Sequence, residues 1–399
     1  PGAFQVHVVI LHCHFQRGGV TQVVENHVRW LRDCDDVDGV VLVSGDRAAG
    51  LSETTCGSVK RIVVDDFDYD DDGQTGESKS VAVSSAAEAL AQRSTAIVRD
   101  LDKQLSAIGI TPDNSVLHWH NHSLGKNTAA PAVIRTMAES GWRMLLQIHD
   151  FAEDNRPNNY RRLINASAAA DKVAMDQYLY PVAPQIHYST LSSGDASTLV
   201  QLGVPKAQSH CLPNSVVMES QGQPDRDESL ETVRRAMGLP AGARWCIYPV
   251  RGIRRKNVGE FLLLSRWTSP EPYAGLTLGP TTPLERRSYD RWKAVAPEVA
   301  PRAVFDAGQH QDVGFITNLS AADFIVSTSV AEGFGMAFLE PWLMHREVIA
   351  RRLPTVTDDF TRSGVRLTKL YDSVPIPGDR QWVRQCLAES ADASKTAWS

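Results

Sequence analysis

Short apolar runs alternate with stretches of helical period along nearly the whole chain. Val6–Leu11 predicts a first strand. After a glycine turn, Val20, Val24, Val28 and Leu31 recur at helical spacing. Further strands are expected at 39–43, 61–64, 116–118, 144–148 and 186–189, with helical segments between them. A long helix is expected over about 86–107, with Ile97, Leu101, Leu105 and Ile108 on one face and Gly109 as its stop. Alternation of this kind implies a parallel sheet covered on both faces. It breaks after CLPNSV at 211–216, where a polar, helix-prone stretch reads as a linker. The alternation then restarts, with strands expected at 245–250, 274–278, 303–305 and 324–328 and a helix over 258–267. The pattern predicts two Rossmann-like, doubly wound α/β domains facing across a cleft. Residues 1–212 would form the first and 213–378 the second, and residues 379–399 would begin a helix that crosses back.

Composition narrows the classes rather than the chemistry. A chain of 399 residues exceeds what one compact core usually holds, and 42% hydrophobic with 22% charged residues is ordinary globular composition. A net charge of −6 argues against a nucleic-acid groove as the main business. No apolar run approaches the roughly 18 residues that a membrane helix needs. The opening FQVHVVILHC is too short for a signal peptide and lacks its flanks, so it reads as the buried first strand. Cys13, Cys34, Cys56, Cys211, Cys246 and Cys386 are scattered without paired spacing, which suits a reducing, cytoplasmic location. The start at Pro1 without Met reads as a trimmed end. The sequence gives no sign of oligomeric state.

Three segments carry candidate chemistry. RGGV at 17–20 opens the first helix, and Gly18 and Gly19 there would let backbone amides approach a phosphate. YPVRGIRRKNVGEF sets Arg251, Arg254, Arg255 and Lys256 between a strand and a helix. Cations at such a strand end can hold a diphosphate and stabilise it as a leaving group. Arg251 and Lys256 are the residues the strand end and helix start would fix; Arg254 and Arg255 read as a solvated basic loop. SVAEGFGMAFLEPW puts Glu332 on a loop with Gly333, Phe334 and Gly335, then starts a helix near Met336 that carries Glu340. Carboxylates accept paired hydrogen bonds from sugar hydroxyls, and amides at a helix start suit phosphate.

With these residues in view, the chain resembles retaining family 4 glycosyltransferases of the GT-B fold. The resemblance runs through RGGV, LPNSV, VRGIRRKN, LTLGP near Gly279, EGFGMAFLE and REVIARRLPTV. It implies that Arg251 and Lys256 hold the donor diphosphate, that Glu332 contacts the donor sugar and that Glu340 contacts the ribose. Gly18, Gly19, Phe334, Gly335 and Met336 would complete the donor site. His149, at the end of the LLQIH strand, would line the reaction centre. Two positions depart from the family pattern: Val250 before Arg251, and the Ser of LPNSV, both where Gly is common. The implied activity is metal-independent transfer of a hexose from a nucleoside diphosphate sugar, without a cofactor, to a small soluble acceptor. A nucleotide-sugar epimerase, or an inert sugar-nucleotide-binding protein on the same fold, is the competing reading.

The acceptor side is weaker in signal. His120, His122, Lys126 and Arg156 are the candidate acceptor residues, and the cations suggest an anionic group. His118, His120 and His122 are spaced by two, hence expected on one face of an extended segment. Zinc ligation by them, helped by His12 and His14, is set aside because no Cys or acid sits at ligand spacing. The acidic run beginning at Asp65 imitates a metal signature at Asp66 and Asp68 and a calcium loop through Asp72 and Gly73. Its twelfth position is Lys79 rather than Glu, and it reads as a mobile, solvated loop.

Overall fold

The Val-, Ile- and Leu-rich runs form strands buried on both faces, as parallel strands under two helical layers must be. In a computed structural model, which describes residues 5–70, 83–154, 156–167, 171–216, 224–375 and 377–398, seven of them make one sheet. These are β1 (Val6–Leu11), β2 (Val37–Ser44), β3 (Lys60–Val63), β4 (Ser115–His120), β5 (Met144–Ile148), β6 (Ile186–Thr190) and β7 (Ser209–Cys211). They pair in parallel in the order β3-β2-β1-β4-β5-β6-β7. One face packs Val9, Leu11, Leu117 and Trp119 with Ile97, Leu101 and Leu105 of helix Val83–Ser106. Gly109, at φ +79, follows that helix as expected. The other face packs Val8, Ile10, Val40 and Leu42 under Val24 and Val28 of helix Gly19–Arg32.

A second sheet repeats the plan with β8 (Trp245–Arg251), β9 (Tyr273–Leu278), β10 (Ala303–Phe305), β11 (Phe324–Ser327), β12 (Val348–Arg351) and β13 (Lys369–Tyr371). Its order is β10-β9-β8-β11-β12-β13, again all parallel. The chain divides into one unit of Pro1–Ser215 with Gly378–Ser399 and another of Val216–Pro377. Helix Arg380–Trp398 belongs to the first unit, where Arg161 Nη2 donates to the Ala397 carbonyl at 3.1 Å. Among the described residues, no helix is long and apolar enough to cross a membrane.

Two expectations need correction. The helix-prone stretch does form a helix, Arg226–Ala236, but part of it is packed rather than a linker: Leu230 and Val233 are buried, and Arg226 Nη2 meets Asp323 Oδ1 at 2.6 Å. Its charged outer face hid a short apolar stripe. In the acidic segment Asp65 and Asp66 are exposed as expected, but Phe67 to Asp70 is pinned rather than solvated. Phe67 is buried, Asp68 Oδ1 accepts from Arg47 Nε at 2.8 Å, and Asp70 pairs with Arg93 and accepts from the Thr128 amide at 2.9 Å. Arginines distant in sequence supply the counter-charge. Asp72, Gly73 and Lys79 lie outside the described residues.

Candidate active site

In doubly wound sheets, ligands collect beyond the carboxyl ends of the strands where the order reverses. In the second unit that point lies between β8 and β11. After β8 the chain makes a short 3-10 turn, Arg254–Lys256, and Asn257, at φ +50, turns it into helix Val258–Trp267. After β11 come Thr328, Ser329, the glycine loop and helix Met336–Leu343. Thr328 Oγ1 donates to the Lys256 carbonyl at 2.9 Å, and the Val330 amide donates to the Arg255 carbonyl at 2.9 Å. These bonds stitch the two loops together.

The stitching sets Lys256 Nζ on Glu332 Oε1. Ser329 Oγ donates to the same carboxylate oxygen at 2.5 Å, and the Tyr248 hydroxyl lies 2.6 Å from Ser329 Oγ. The Lys256 and Glu332 side chains are only 11% and 6% exposed. Burial pulls the Lys256 ammonium below its usual range, with Glu332 opposing the shift. Arg255 Nη1 stands 3.9 Å from Glu332 Oε2, and Arg251 Nη1 donates to the Gly279 carbonyl at 3.2 Å. Arg254 is exposed and paired with Glu285 at 3.2 Å. Sequence reasoning found Lys256 and Glu332 singly; it missed that they pair, and missed Tyr248 and Ser329. Tyr248 lies in a wholly buried strand segment and looked like core, while Ser329, three residues before Glu332, was the readable signal.

The glycine loop has a conformational reason at one position. Gly335 caps helix Met336–Leu343 at φ +86, and a Cβ there would lie 2.7 Å from Val356 Cγ1. Gly335→Ala is therefore expected to cost about 1–3 kcal/mol of stability, read as a lower urea midpoint at unchanged slope. Phe334 is buried with its ring edge-on to Phe360, the centroids 5.3 Å apart. Met336 is half-buried at the helix start. By contrast, Gly18 and Gly19 are exposed at the start of helix Gly19–Arg32 without left-handed backbone; a Cβ at Gly19 would meet nothing within 4 Å. Nothing in the packing demands glycine there, and the space above it is open.

Burial raises the Glu340 carboxyl to about 7; Lys256 opposes the shift and Glu332 adds to it. The folded chain thus holds a proton on Glu340 that the unfolded chain has lost, between the ordinary carboxylate range and about pH 7. Stability from this group is present at low pH and lost as pH rises through that window. Glu340→Gln should therefore match the parent at acid pH and gain on it by roughly 3 kcal/mol by pH 8. Urea titrations at the two pH values check this.

In the first unit the order reverses between β1 and β4, and His12 just past the end of β1 lies against the His120 carbonyl at the end of β4. His149, just past β5, is buried with Nε2 2.8 Å from His120 Nδ1. Its backbone amide donates to Asn121 Oδ1 at 2.8 Å. Burial lowers His149 and His118 to about 3, and His12 and His122 to about 4. The rings are therefore neutral. His118 and His120 share one face, but His122 does not join them. Asn121 adopts φ +55 and breaks the alternation, so His122 Nε2 donates to the Leu179 carbonyl at 2.9 Å. His120 and His122 are closed off from solvent. Lys126 lies 5.6 Å from the centre of the Tyr69 ring, and Arg156 Nη2 meets Asp150 Oδ2 at 3.1 Å.

No protein-family model matches the chain. The mannosylglucosyl-3-phosphoglycerate synthase of Petrotoga mobilis is 26% identical over 365 residues, which cover 88% of this chain. The matched part is 65% of that protein, so the chain spans less than two thirds of the curated relative's length. Among solved structures, Anabaena HepE in complex with UDP-glucose superposes with a TM-score of 0.59 at 14% identity, covering 98% of this chain and 92% of that one. WaaG, a glycosyltransferase of lipopolysaccharide biosynthesis, gives 0.59 at 12% identity, with the same two coverages of 98% and 92%. Sucrose-phosphate synthase from Thermosynechococcus elongatus gives 0.54 at 15%, covering 88% and 82%. The fold is that of these proteins: two Rossmann-like domains of the GT-B type.

Proposed function

We propose that this chain, a GT-B protein similar to family 4 glycosyltransferases, moves a hexosyl group from a nucleoside diphosphate sugar to a hydroxyl of a small anionic acceptor. The observation that carries the reading is the buried Lys256–Glu332 pair at the second unit's switch point, with Arg255 at 3.9 Å from Glu332 and the helix start at Met336 four residues on. Burying two charges is costly, and a buried ion pair is weak evidence for stability. It is better evidence for a site that meets a charged ligand. A diphosphate arriving there gives Lys256 a second anion, and Glu332 gains freedom to accept hydrogen bonds from sugar hydroxyls. Glu340 takes the ribose, and His149 keeps the sugar-side role that the resemblance gives it.

In the transfer, the bond from the anomeric carbon to the diphosphate oxygen breaks and a bond to the acceptor oxygen forms. The acceptor proton leaves with the diphosphate. Lys256 and Arg251 stabilise the charge that grows on the leaving group, which is where fixed cations contribute most. Retention at the anomeric carbon rests on the family resemblance. For the acceptor, Lys126 in the first unit offers positive charge, and Arg156 offers guanidinium donors beside its partner Asp150. The relative from Petrotoga mobilis is named for a phosphoglycerate product, which supports an acceptor bearing phosphate and carboxylate.

Since protein cations meet the diphosphate, turnover should be indifferent to added magnesium or manganese. A strict manganese requirement, measured in a metal-stripped assay, would contradict this assignment. The reading as a whole is tested by thermal-shift screening against nucleoside diphosphates and their hexoses. A cognate ligand raises the melting temperature by mass action. A flat response to every nucleotide would remove the donor site.

A further inference from the structure

We propose that His27, His118 and His120 form a site for a divalent transition-metal ion, for which zinc is the natural probe. Among the described residues, one ring nitrogen from each of these three lies within 4.8 Å of the others. His27 comes from helix Gly19–Arg32, and His118 and His120 come from one face of β4 beneath it. The His118 and His120 rings stack at 4.4 Å, and His27 lies 5.1 and 5.5 Å from them. The three ligands lie outside the second unit's loops that carry Lys256 and Glu332, but His120 touches His149, so the site adjoins the proposed reaction centre.

Two nitrogens in this group have no hydrogen-bond partner: His120 Nε2, on a fully buried residue, and His27 Nδ1. Their neighbours decide where the lone pairs lie. His118 Nε2 must donate to Gln147 Oε1, 2.8 Å away, which leaves its Nδ1 as a lone pair. His120 Nδ1 faces His149 Nε2 at 2.8 Å. With the proton on His120 Nδ1, the unpartnered Nε2 is also a lone pair. The opposite tautomer would leave a buried N–H with no acceptor, which is costly. Ligating histidines commonly show this pattern, one nitrogen free for the metal and the other donating to a protein acceptor.

The donor set selects the ion. Three neutral imidazoles without a carboxylate suit zinc, nickel or copper; magnesium and calcium want oxygen. Three histidines with an open fourth position form a known zinc arrangement. Tetrahedral zinc, with bonds of roughly 2.0–2.1 Å, needs nitrogens roughly 3.4 Å apart. The nitrogens now lie within 4.8 Å of one another on stacked rings, so the rings must turn toward a common point to reach that spacing, the partly exposed His27 most freely. A metal on His120 Nε2 would also hold the proton on Nδ1, fixing the hydrogen bond toward His149.

The experiment takes the full chain, strips it with chelator, and titrates it with zinc alone by calorimetry and with cobalt by visible absorption. One ion per chain is expected, with a cobalt ligand-field band. His27→Ala removes a ligand outright and should weaken binding by at least roughly a hundredfold, the upper end of what losing outer-shell support alone costs. His187→Ala, in the separate His187–His210 pair with its 2.8 Å contact, should change nothing. No stoichiometric zinc binding, or binding left unweakened by His27→Ala, would overturn the proposal. If circular dichroism shows that His27→Ala does not fold, X-ray absorption on the zinc-loaded parent decides. Three imidazole neighbours support the site; fewer, or a sulfur neighbour, overturn it.

Discussion

Lys256→Ala is expected to lower transfer by roughly two to three orders of magnitude, because its cation matters most as charge develops on the departing diphosphate. Affinity for the bare nucleoside diphosphate should fall too, since that ligand carries the same phosphates. The ion pair adds a second consequence. Removing Lys256 leaves Glu332, whose side chain is 6% exposed, with the Ser329 hydroxyl and the more distant Arg255 guanidinium at 3.9 Å as partners. Breaking a buried pair from one side typically costs about 3–5 kcal/mol. The variant should therefore also melt earlier, and kinetics must be read at a temperature where it is folded. Steady-state rates, calorimetric titration with the nucleoside diphosphate and a urea curve separate the effects.

Glu332→Gln should lower transfer by roughly a hundredfold while leaving nucleoside diphosphate affinity near that of the parent. Glutamine keeps the shape and the contact with Ser329 but loses the charged acceptor that sugar hydroxyls need. The bare nucleoside diphosphate has no sugar to orient, and its own charge replaces the lost partner of Lys256. The contact between the two side chains makes this a sharp comparison. A glutamate whose only task is to hold the lysine would lose nucleotide affinity as badly as Lys256→Ala does.

Much of the architecture was legible because buried parallel strands announce themselves as unbroken apolar runs. The VHVVIL run gave β1 to the residue, and VGEFLLLSRW gave its helix to the residue. β7 and β13 escaped notice because SHC and KLY carry little apolar signal, and β12 because its short VIA run sits between charged residues. β4 reads shorter than it is because His118 and His120 interrupt the apolar pattern while facing a helix. In the candidate site, residue types and spacing marked Arg251, Lys256, Glu332 and Glu340. What spacing along the chain cannot show is contact across it. Lys256 and Glu332 are 76 residues apart, and His27 lies far from His118. Both meetings follow from strand order, β11 beside β8 and β4 beside β1.

The central claim is transfer from a nucleoside diphosphate sugar, and its most direct test supplies donor and acceptor together. The chain is mixed with nucleoside diphosphate hexoses in turn and a phosphoglycerate-type acceptor, and proton NMR follows nucleotide release and the product's anomeric signal. The account predicts that one donor gives equimolar nucleoside diphosphate and glycoside, with the donor's anomeric configuration kept. A sugar nucleotide that is bound but never consumed, or converted to its epimer without nucleotide release, would contradict it.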